Sequence, residues 1–450
     1  MKYDSIIIGF GKGGKTLAAV LAGMGEKVAV IEKSNKMYGG TCINVGCIPS
    51  KSLVRSSGLS RLVSADSFDE KAKKYKEAIE EKRRVTSMLR QKNYDKLNNL
   101  SNVSVIDGTA SFLSNTEVLI KRHGAENTVS ADKIFINTGS AAVIPNIDGL
   151  KDNPKVFTSE TLMELEMLPK NLTIIGGGYI GLEFASMYSD FGSKVTVIQD
   201  GGIFIPKEDR DIADEIQKVL EEKGVSFIFS AKTYKIEGAD VYYKKEENDY
   251  KLNGDAVLIA TGRRPNTDGL CAEKAGVELT PRGAVKVDDR LKTTASNIWA
   301  MGDVCGGLQF TYVSLDDYRI VLSQLNKGTE RKLSNRSNVP YSVFISPSFS
   351  RVGLSEKEAL EKGYNIKITK LPASAVPRAQ VLKQTSGLLK AVIDADTDKI
   401  LGASLFCEES YEMINIIKLA MDMNADYMVL RDNIYTHPTM SEALNDLFSI

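Results

Sequence analysis

The chain is poor in the residues that most active-site chemistries require. Its 450 residues include five cysteines and only two histidines, His123 and His437. Cys42 and Cys47 lie five positions apart, whereas Cys271, Cys305 and Cys407 are isolated, so no second close pair or Cys/His cluster supports a zinc centre. Charge imbalance is missing too. Lys+Arg and Asp+Glu both number 58, for a net charge of zero, which argues against nucleic acid or an anionic membrane as the main partner. No apolar run approaches the roughly 20 residues that span a bilayer. The first expected strand, Tyr3 to Gly9, follows no charged leader and cleavage site, so the chain reads as cytoplasmic. In that compartment a disulfide is more often catalytic than structural. The remaining composition, 42% hydrophobic and 26% charged, is that of an ordinary globular protein long enough for several domains.

What is present is an internal repeat. Shifted by 167 positions, Ile7-Ile8-Gly9-Phe10-Gly11-Lys12-Gly13-Gly14 falls on Ile174-Ile175-Gly176-Gly177-Gly178-Tyr179-Ile180-Gly181, and the match continues through Val30-Ile31 on Val197-Ile198. Each copy reads as strand, tight turn, helix, strand. Two such units predict an α/β protein with two Rossmann-like dinucleotide-binding domains. Residues 51–100 read as helical, with the charge run Lys71 to Arg84 as a solvated face. Residues 103–138 alternate like strands, 327–338 resemble a linker, and the last part mixes strands and helices as a third domain. The expected division is 1–145 for a first dinucleotide domain, 146–265 for the second, 266–335 for a return to the first, and 336–450 for a C-terminal α+β domain.

Gly9, Gly11 and Gly14 form G-x-G-x-x-G between a strand and a helix, and Glu32 ends the next strand, where a carboxylate accepts from ribose hydroxyls. Gly176, Gly178 and Gly181 repeat the pattern, but Gln199 replaces the acid. Gln199 neither repels a 2′-phosphate nor binds one, and Lys207 nearby is an ordinary solvated lysine or a weak phosphate aid, so NADH and NADPH both stay open with a lean to NADH. Cys42 and Cys47 precede Pro49, a residue favoured in a first helical turn. A helix starting near Cys47 would lower a thiol pKa. Two unpaired buried thiols would give the same local pattern; the surrounding glycines and the neighbouring dinucleotide site favour a redox pair. Asp303 reads either as a turn residue or as a ligand to a polyol. His437, with Glu442 five residues on, reads either as a surface histidine or as an acid/base unit. Cys271, Cys305 and Cys407 read as buried thiols.

Together these pieces resemble the pyridine nucleotide-disulfide oxidoreductase family, which includes glutathione reductase, lipoamide dehydrogenase and mercuric reductase. The most specific motif is Gly39-Gly40-Thr41-Cys42-Ile43-Asn44-Val45-Gly46-Cys47-Ile48-Pro49-Ser50-Lys51, joined by the Thr-Gly strand ends at Gly139 and Gly262, Met301-Gly302-Asp303, and His437-Pro438-Thr439-Met440-Ser441-Glu442. The resemblance implies FAD on the first fingerprint with Glu32, Thr41, Gly139, Gly302 and Asp303, and NAD(P)H on the second with Gln199 and Gly262 nearby. It implies Tyr179 as a gate over the nicotinamide pocket and Lys51–Glu183 as an ion pair beside the flavin. It further implies a Cys42–Cys47 redox disulfide, with Cys47 facing the flavin and Cys42 facing substrate. His437 and Glu442 would complete the site of a partner subunit, which makes the expected assembly a homodimer and the C-terminal domain its interface. No resident metal is expected.

A nearer likeness is to the bacterial reactive-chlorine-resistance flavoproteins, carried by Tyr38 to Cys42, Gly307 to Ile320 and Glu442 to Phe448. It implies reduction of a small-molecule oxidant, hypothiocyanous acid, in oxidant defence. The alternatives are a low-molecular-weight disulfide of glutathione or lipoamide type, and copper(II) or mercury(II). The chain ends without a C-terminal cysteine pair, which fits mercury poorly, and Tyr435 stands where lipoamide dehydrogenases usually carry a second histidine.

Overall fold

Strand β1 (Lys2–Ile8) is buried without interruption from Ser5 to Ile8. A strand apolar on both faces needs cover on both, which a parallel sheet flanked by helices supplies. It is followed by helix α1 (Lys12–Gly23) and strand β2 (Val28–Glu32), which lies parallel to β1 with Ile7 opposite Val30. Strand β3 (Val103–Asp107) extends the sheet beyond β2, and the strand Ala125–Ile136 lies parallel to β1 on its other side. The computed structural model describes residues 1–62, 67–326 and 331–450.

The repeat is a repeat of topology. Strands Val225–Ile228, Lys194–Ile198, Asn171–Ile175 and Ala256–Ile259 reproduce in parallel the order seen in the first sheet, and Val156–Thr158 adds an edge. The helix Tyr179–Phe191 takes the place of α1. The chain then returns to the first sheet: Ile298–Ala300 pairs in parallel with Ala125–Ile136, and Trp299 stacks on Phe135 with ring centroids 5.2 Å apart. A five-stranded antiparallel sheet follows, on which the helix Ser410–Asp422 buries Met413, Ile414 and Ile417. The mixed α/β class expected from the sequence, with a C-terminal α+β part, is the observed one.

Between β2 and β3 run helices α2 (Thr41–Asn44), α3 (Cys47–Leu62) and α4 (Phe68–Asn98). Residues 63–66, within the stretch expected to be helical, lie outside the described residues. Ser67 caps α4 by accepting from the Glu70 N–H, and Asp69 and Glu70 place negative charge at its positive end.

The expectation of a solvated face from Lys71 to Arg84 holds for most of the charges but not for Lys82. Tyr75, Ala78, Ile79 and Lys82 turn inward. Lys82 is fully buried, donating to the Met163 carbonyl at 2.8 Å and pairing with Glu164, and burial pushes its pKa down. A charge run hides a buried lysine when one helical face meets a carboxylate from another element.

The expected linker is also not a free tether. Residues 327–330 lie outside the described ones. Beyond them, Arg331 and Arg336 clasp Asp316 and Asp317 of the helix Thr311–Leu325. Among the three lone cysteines only Cys407 is buried; Cys271 and Cys305 are half-buried. Cys271 caps a short 3-10 turn with φ +53°, at the start of a connection rather than in a core.

Candidate functional site

Each fingerprint begins where a buried strand ends at a glycine of positive φ, +102° at Gly9 and +114° at Gly176. A Cβ would stand 2.3 Å from the Asn137 carbonyl oxygen at Gly9, and 2.4 Å from that of Ala260 at Gly176. Only glycine lets the chain pass its neighbouring strand there.

The first turn is closed further by two side chains that the sequence reading did not single out. Asn137 Oδ1 accepts from the Gly14 N–H at 3.0 Å, and its Nδ2 donates to the Met301 carbonyl at 2.7 Å. Ser314 Oγ accepts from the Gly13 N–H at 3.1 Å. Asn137 ends the strand Ile134-Phe135-Ile136; a polar residue directly after a buried run was the available signal. Glu32, buried at the end of β2, accepts from the Phe10 N–H at 3.0 Å and the Ser34 N–H at 3.3 Å. Burial pushes its pKa up against those two bonds.

A cavity of about 1470 Å³ opens along this turn, larger than the several hundred Å³ usual for a small ligand. Gly9, Gly11 and Glu32 line it, as do Gly139, Asp303 and Thr41. Asp303 accepts from Ser140 Oγ at 2.7 Å. Cys42 on α2 and Cys47 and Lys51 on α3 form another stretch of wall, faced by Tyr179 and Glu183 from the second fingerprint's helix. Gly11 precedes helix α1 with no side-chain cap, and with the Gly13 and Gly14 N–H groups already bonded to Ser314 and Asn137, the N–H groups of Gly11 and Lys12, which line the cavity, are the ones left for a phosphate. A glycine-lined turn, a buried carboxylate and open helix N–H groups fit a dinucleotide cofactor.

Other expected residues stand behind this wall. Gly14 packs on Ile7, and the Gly302 N–H donates to Asp317 at 2.7 Å. Gly181 lies against the Gly176 carbonyl, while nothing stands within 4 Å of a Cβ built on Gly178 or Gly262. Gln199 folds over the second turn, with Nε2 donating to the Gly201 and Ile203 carbonyls, each at 2.9 Å.

The two thiols are free and act on each other's ionisation. Cys47 sits at the start of α3, as the sequence suggested, and is held down to about 6. The hydrogen bond from Cys42 is the largest cause, ahead of Thr311 and the Lys51 charge, so the neighbouring thiol rather than the helix end dominates. Cys42 is pushed well up by donating that bond and by burial. Thr311, not foreseen from the sequence, places Oγ1 3.6 Å from Cys47 Sγ. Lys15 is a second unforeseen neighbour. Its Nζ donates to the Gly39 carbonyl at 3.3 Å and to Asn93 at 2.5 Å, and burial with the Lys12 charge brings it down to about 8.

Lys51 Nζ donates to both Glu183 oxygens, at 2.9 and 2.7 Å, and lies 4.6 Å from the centre of the Phe344 ring. His437 Nδ1 lies 2.7 Å from Glu442 Oε2, with the imidazole largely exposed. Neither His437 nor Glu442 lines the cavity of its own chain.

Comparison with known proteins bears on the same residues. The pyridine nucleotide-disulphide oxidoreductase profile matches residues 3–317, and that family's dimerisation domain matches 339–448. The probable pyridine nucleotide-disulfide oxidoreductase RclA of Escherichia coli (strain K12) is 49% identical over 449 residues, covering 100% of this chain and 99% of that protein. A mercuric reductase of Bacillus cereus is 36% identical, covering 98% of this chain but 70% of the reductase. The solved Cu(II) complex of the HOCl-induced flavoprotein disulfide reductase RclA from Escherichia coli superimposes with a TM-score of 0.94 at 50% identity, over 100% of this chain and 99% of that one.

Proposed function

The chain belongs to the pyridine nucleotide-disulphide oxidoreductase family, whose enzymes use FAD and NAD(P)H, and from that premise we propose that it reduces hypothiocyanous acid through Cys42 and Cys47. The observation that carries this reading is the pair of free thiols on the cavity wall, with Thr311 3.6 Å from Cys47 Sγ and the Lys51–Glu183 ion pair lining the same cavity, surroundings that favour the thiolate on Cys47 over Cys42.

The flavin, when bound, relays an electron pair from the nicotinamide to the cysteines. Glu32 would accept from ribose hydroxyls, the N–H groups of Gly11 and Lys12 at the start of α1 would hold the pyrophosphate, and Asp303 would take the ribityl chain. Gly176, Gly178 and Gly181 hold the nicotinamide cosubstrate behind Tyr179. Lys51, tied to Glu183, fixes a positive charge beside Cys47 and stabilises its thiolate. The division of the chain at 145, 265 and 335 belongs to the same proposal.

Cys42 is the thiol that meets the oxidant, and it reacts only as thiolate. Burial and its own hydrogen bond oppose ionisation, so an external base is required. His437 of the partner subunit, oriented by Glu442, takes the proton; the match of residues 339–448 to the family's dimerisation domain supports this placement. The Cys42 thiolate attacks the sulfur of hypothiocyanous acid, forming a sulfur–sulfur bond and releasing hydroxide. The Cys47 thiolate then attacks Cys42 and expels thiocyanate. A disulfide is left, two electrons have reached the oxidant, and the low pKa of Cys47 keeps its thiolate ready at neutral pH.

In stopped-flow experiments on the purified holoenzyme, Cys42→Ser retains flavin reduction by NAD(P)H and loses hypothiocyanous acid turnover. Undiminished turnover in that variant overturns the proposal. A second reading, copper(II) as the substrate, is favoured by the Cu(II) complex of the structural relative. Turnover of Cu(II) but not hypothiocyanous acid by the wild-type enzyme would select it.

A further inference from the structure

Glu208 lies outside every motif in the chain, yet three parts of the molecule meet on its carboxylate. It sits in the segment between the strand Lys194–Ile198 and the helix Arg210–Glu222, and its side chain is 1% exposed. Tyr179, the first residue of the second fingerprint's helix, donates its hydroxyl to Glu208 Oε1. Tyr341, which opens a strand of the C-terminal sheet, donates to the same oxygen at 2.5 Å. Arg351, on the next strand of that sheet, donates to Oε2 at 3.3 Å. The two phenol rings stack with centroids 5.5 Å apart, and both line the cavity. Burial and the carboxylate push both phenols up, so they remain proton donors.

A buried carboxylate must have its oxygens filled, and charge-assisted bonds of this kind are strong and geometrically exacting. The segment bearing Glu208 is itself fixed: Arg210 Nη2 donates to the carbonyls of Phe204 at 2.8 Å, Ile205 at 3.1 Å and Glu208 at 3.3 Å. Gln199 holds the start of the same segment through Gly201 and Ile203. The Tyr179 ring is therefore anchored on a rigid element rather than resting loosely over the cavity.

We propose that Glu208 is a positioning residue that latches the Tyr179 ring shut, so that the nicotinamide cosubstrate enters only when the bond between them is broken. This rests on the assignment of the nicotinamide pocket behind Tyr179 made above. A closed latch lowers the apparent affinity for the cosubstrate by the fraction of molecules that are open. Weakening the latch then tightens apparent binding, whereas ordinary damage to a binding site loosens it.

The test is anaerobic stopped-flow reduction of the holoenzyme by NADH or NADPH, read as the cosubstrate concentration giving half-maximal rate. Glu208→Gln and Tyr179→Phe are each expected to lower that concentration severalfold, and the double variant to lower it no further than either single one. An unchanged or raised value in both single variants, or additive effects, overturns the latch. Should Glu208→Gln fail to fold, Tyr179→Phe decides alone, because it keeps both ring and carboxylate. Tyr179→Ala separates the two ideas. If it shifts half-saturation while the other two variants do not, the latch is wrong and the pocket stands; if none of the three shifts it, the pocket assignment itself falls.

Discussion

The two glycine fingerprints are near-copies in sequence and differ in what surrounds their middle glycine. A Cβ on Gly11 would stand 2.5 Å from Asn137 Oδ1, inside a turn already braced by Asn137 and Ser314. A Cβ on Gly178 would meet nothing within 4 Å. The first turn is locked to three distant parts of the chain, and the partner of its motif, Glu32, is buried. The second turn carries Gln199 instead, which bonds to its own loop. Under the proposed function, the first turn holds the cofactor that stays and the second the cosubstrate that comes and goes. The motif supplies the backbone path, and the tertiary surroundings set how firmly a ligand is held.

The sharpest way to break this comparison is Gly11→Ala. The added methyl collides with a braced side chain, and overpacking of this kind costs about 1–3 kcal/mol. The expected outcome is protein purified without flavin, measured by its visible spectrum; a yellow Gly11→Ala protein would mean the first turn is no tighter than the second. Next in size, Asn137→Ala leaves the buried Gly14 N–H and Met301 carbonyl without their partner. At about 1–3 kcal/mol for each such group, denaturant unfolding of the holoenzyme should reveal a loss of a few kcal/mol. Gly178→Ala, by contrast, should keep both the flavin and the unfolding midpoint. Its expected effect is a severalfold rise in KM for NAD(P)H, because the methyl enters the space the cosubstrate needs.

The thiols repeat the contrast on a smaller scale. Cys47 lies lower than Cys42 chiefly because Cys42 donates to it. In the reduced enzyme the thiolate is therefore favoured on Cys47 rather than on Cys42. Cys42→Ala removes the donor, so the pKa should move up toward the ordinary cysteine value of about 8.5. Ultraviolet thiolate absorbance against pH measures it; an unmoved titration would assign the shift to Lys51, Thr311 and the helix end instead.

Much of the fold was legible because its signals are local. Ile6 to Ile8 ending at a glycine, and the same pattern at Ile174-Ile175-Gly176, state a buried strand and a tight turn in consecutive letters. The doubled pattern yielded the parallel strands at the centre of two sheets. Cys42 and Cys47 were legible for the same reason, since five positions of chain place them together. Lys82 was misread because a charge run records composition and not which side of a helix meets Glu164. Asn137, Ser314, Thr311 and Glu208 were invisible because their partners lie far along the chain.

From the residues alone came the class of protein, the two glycine turns and the neighbouring thiols, since each depends on backbone geometry or neighbouring side chains along a few residues. The tertiary structure alone decided which groups act on Cys47 and pull its pKa down, that Asn137 and Ser314 brace the first turn, and that a carboxylate outside any motif grips Tyr179. Those outcomes depend on burial and on hydrogen bonds between distant segments, and burial is set only when the whole chain has packed.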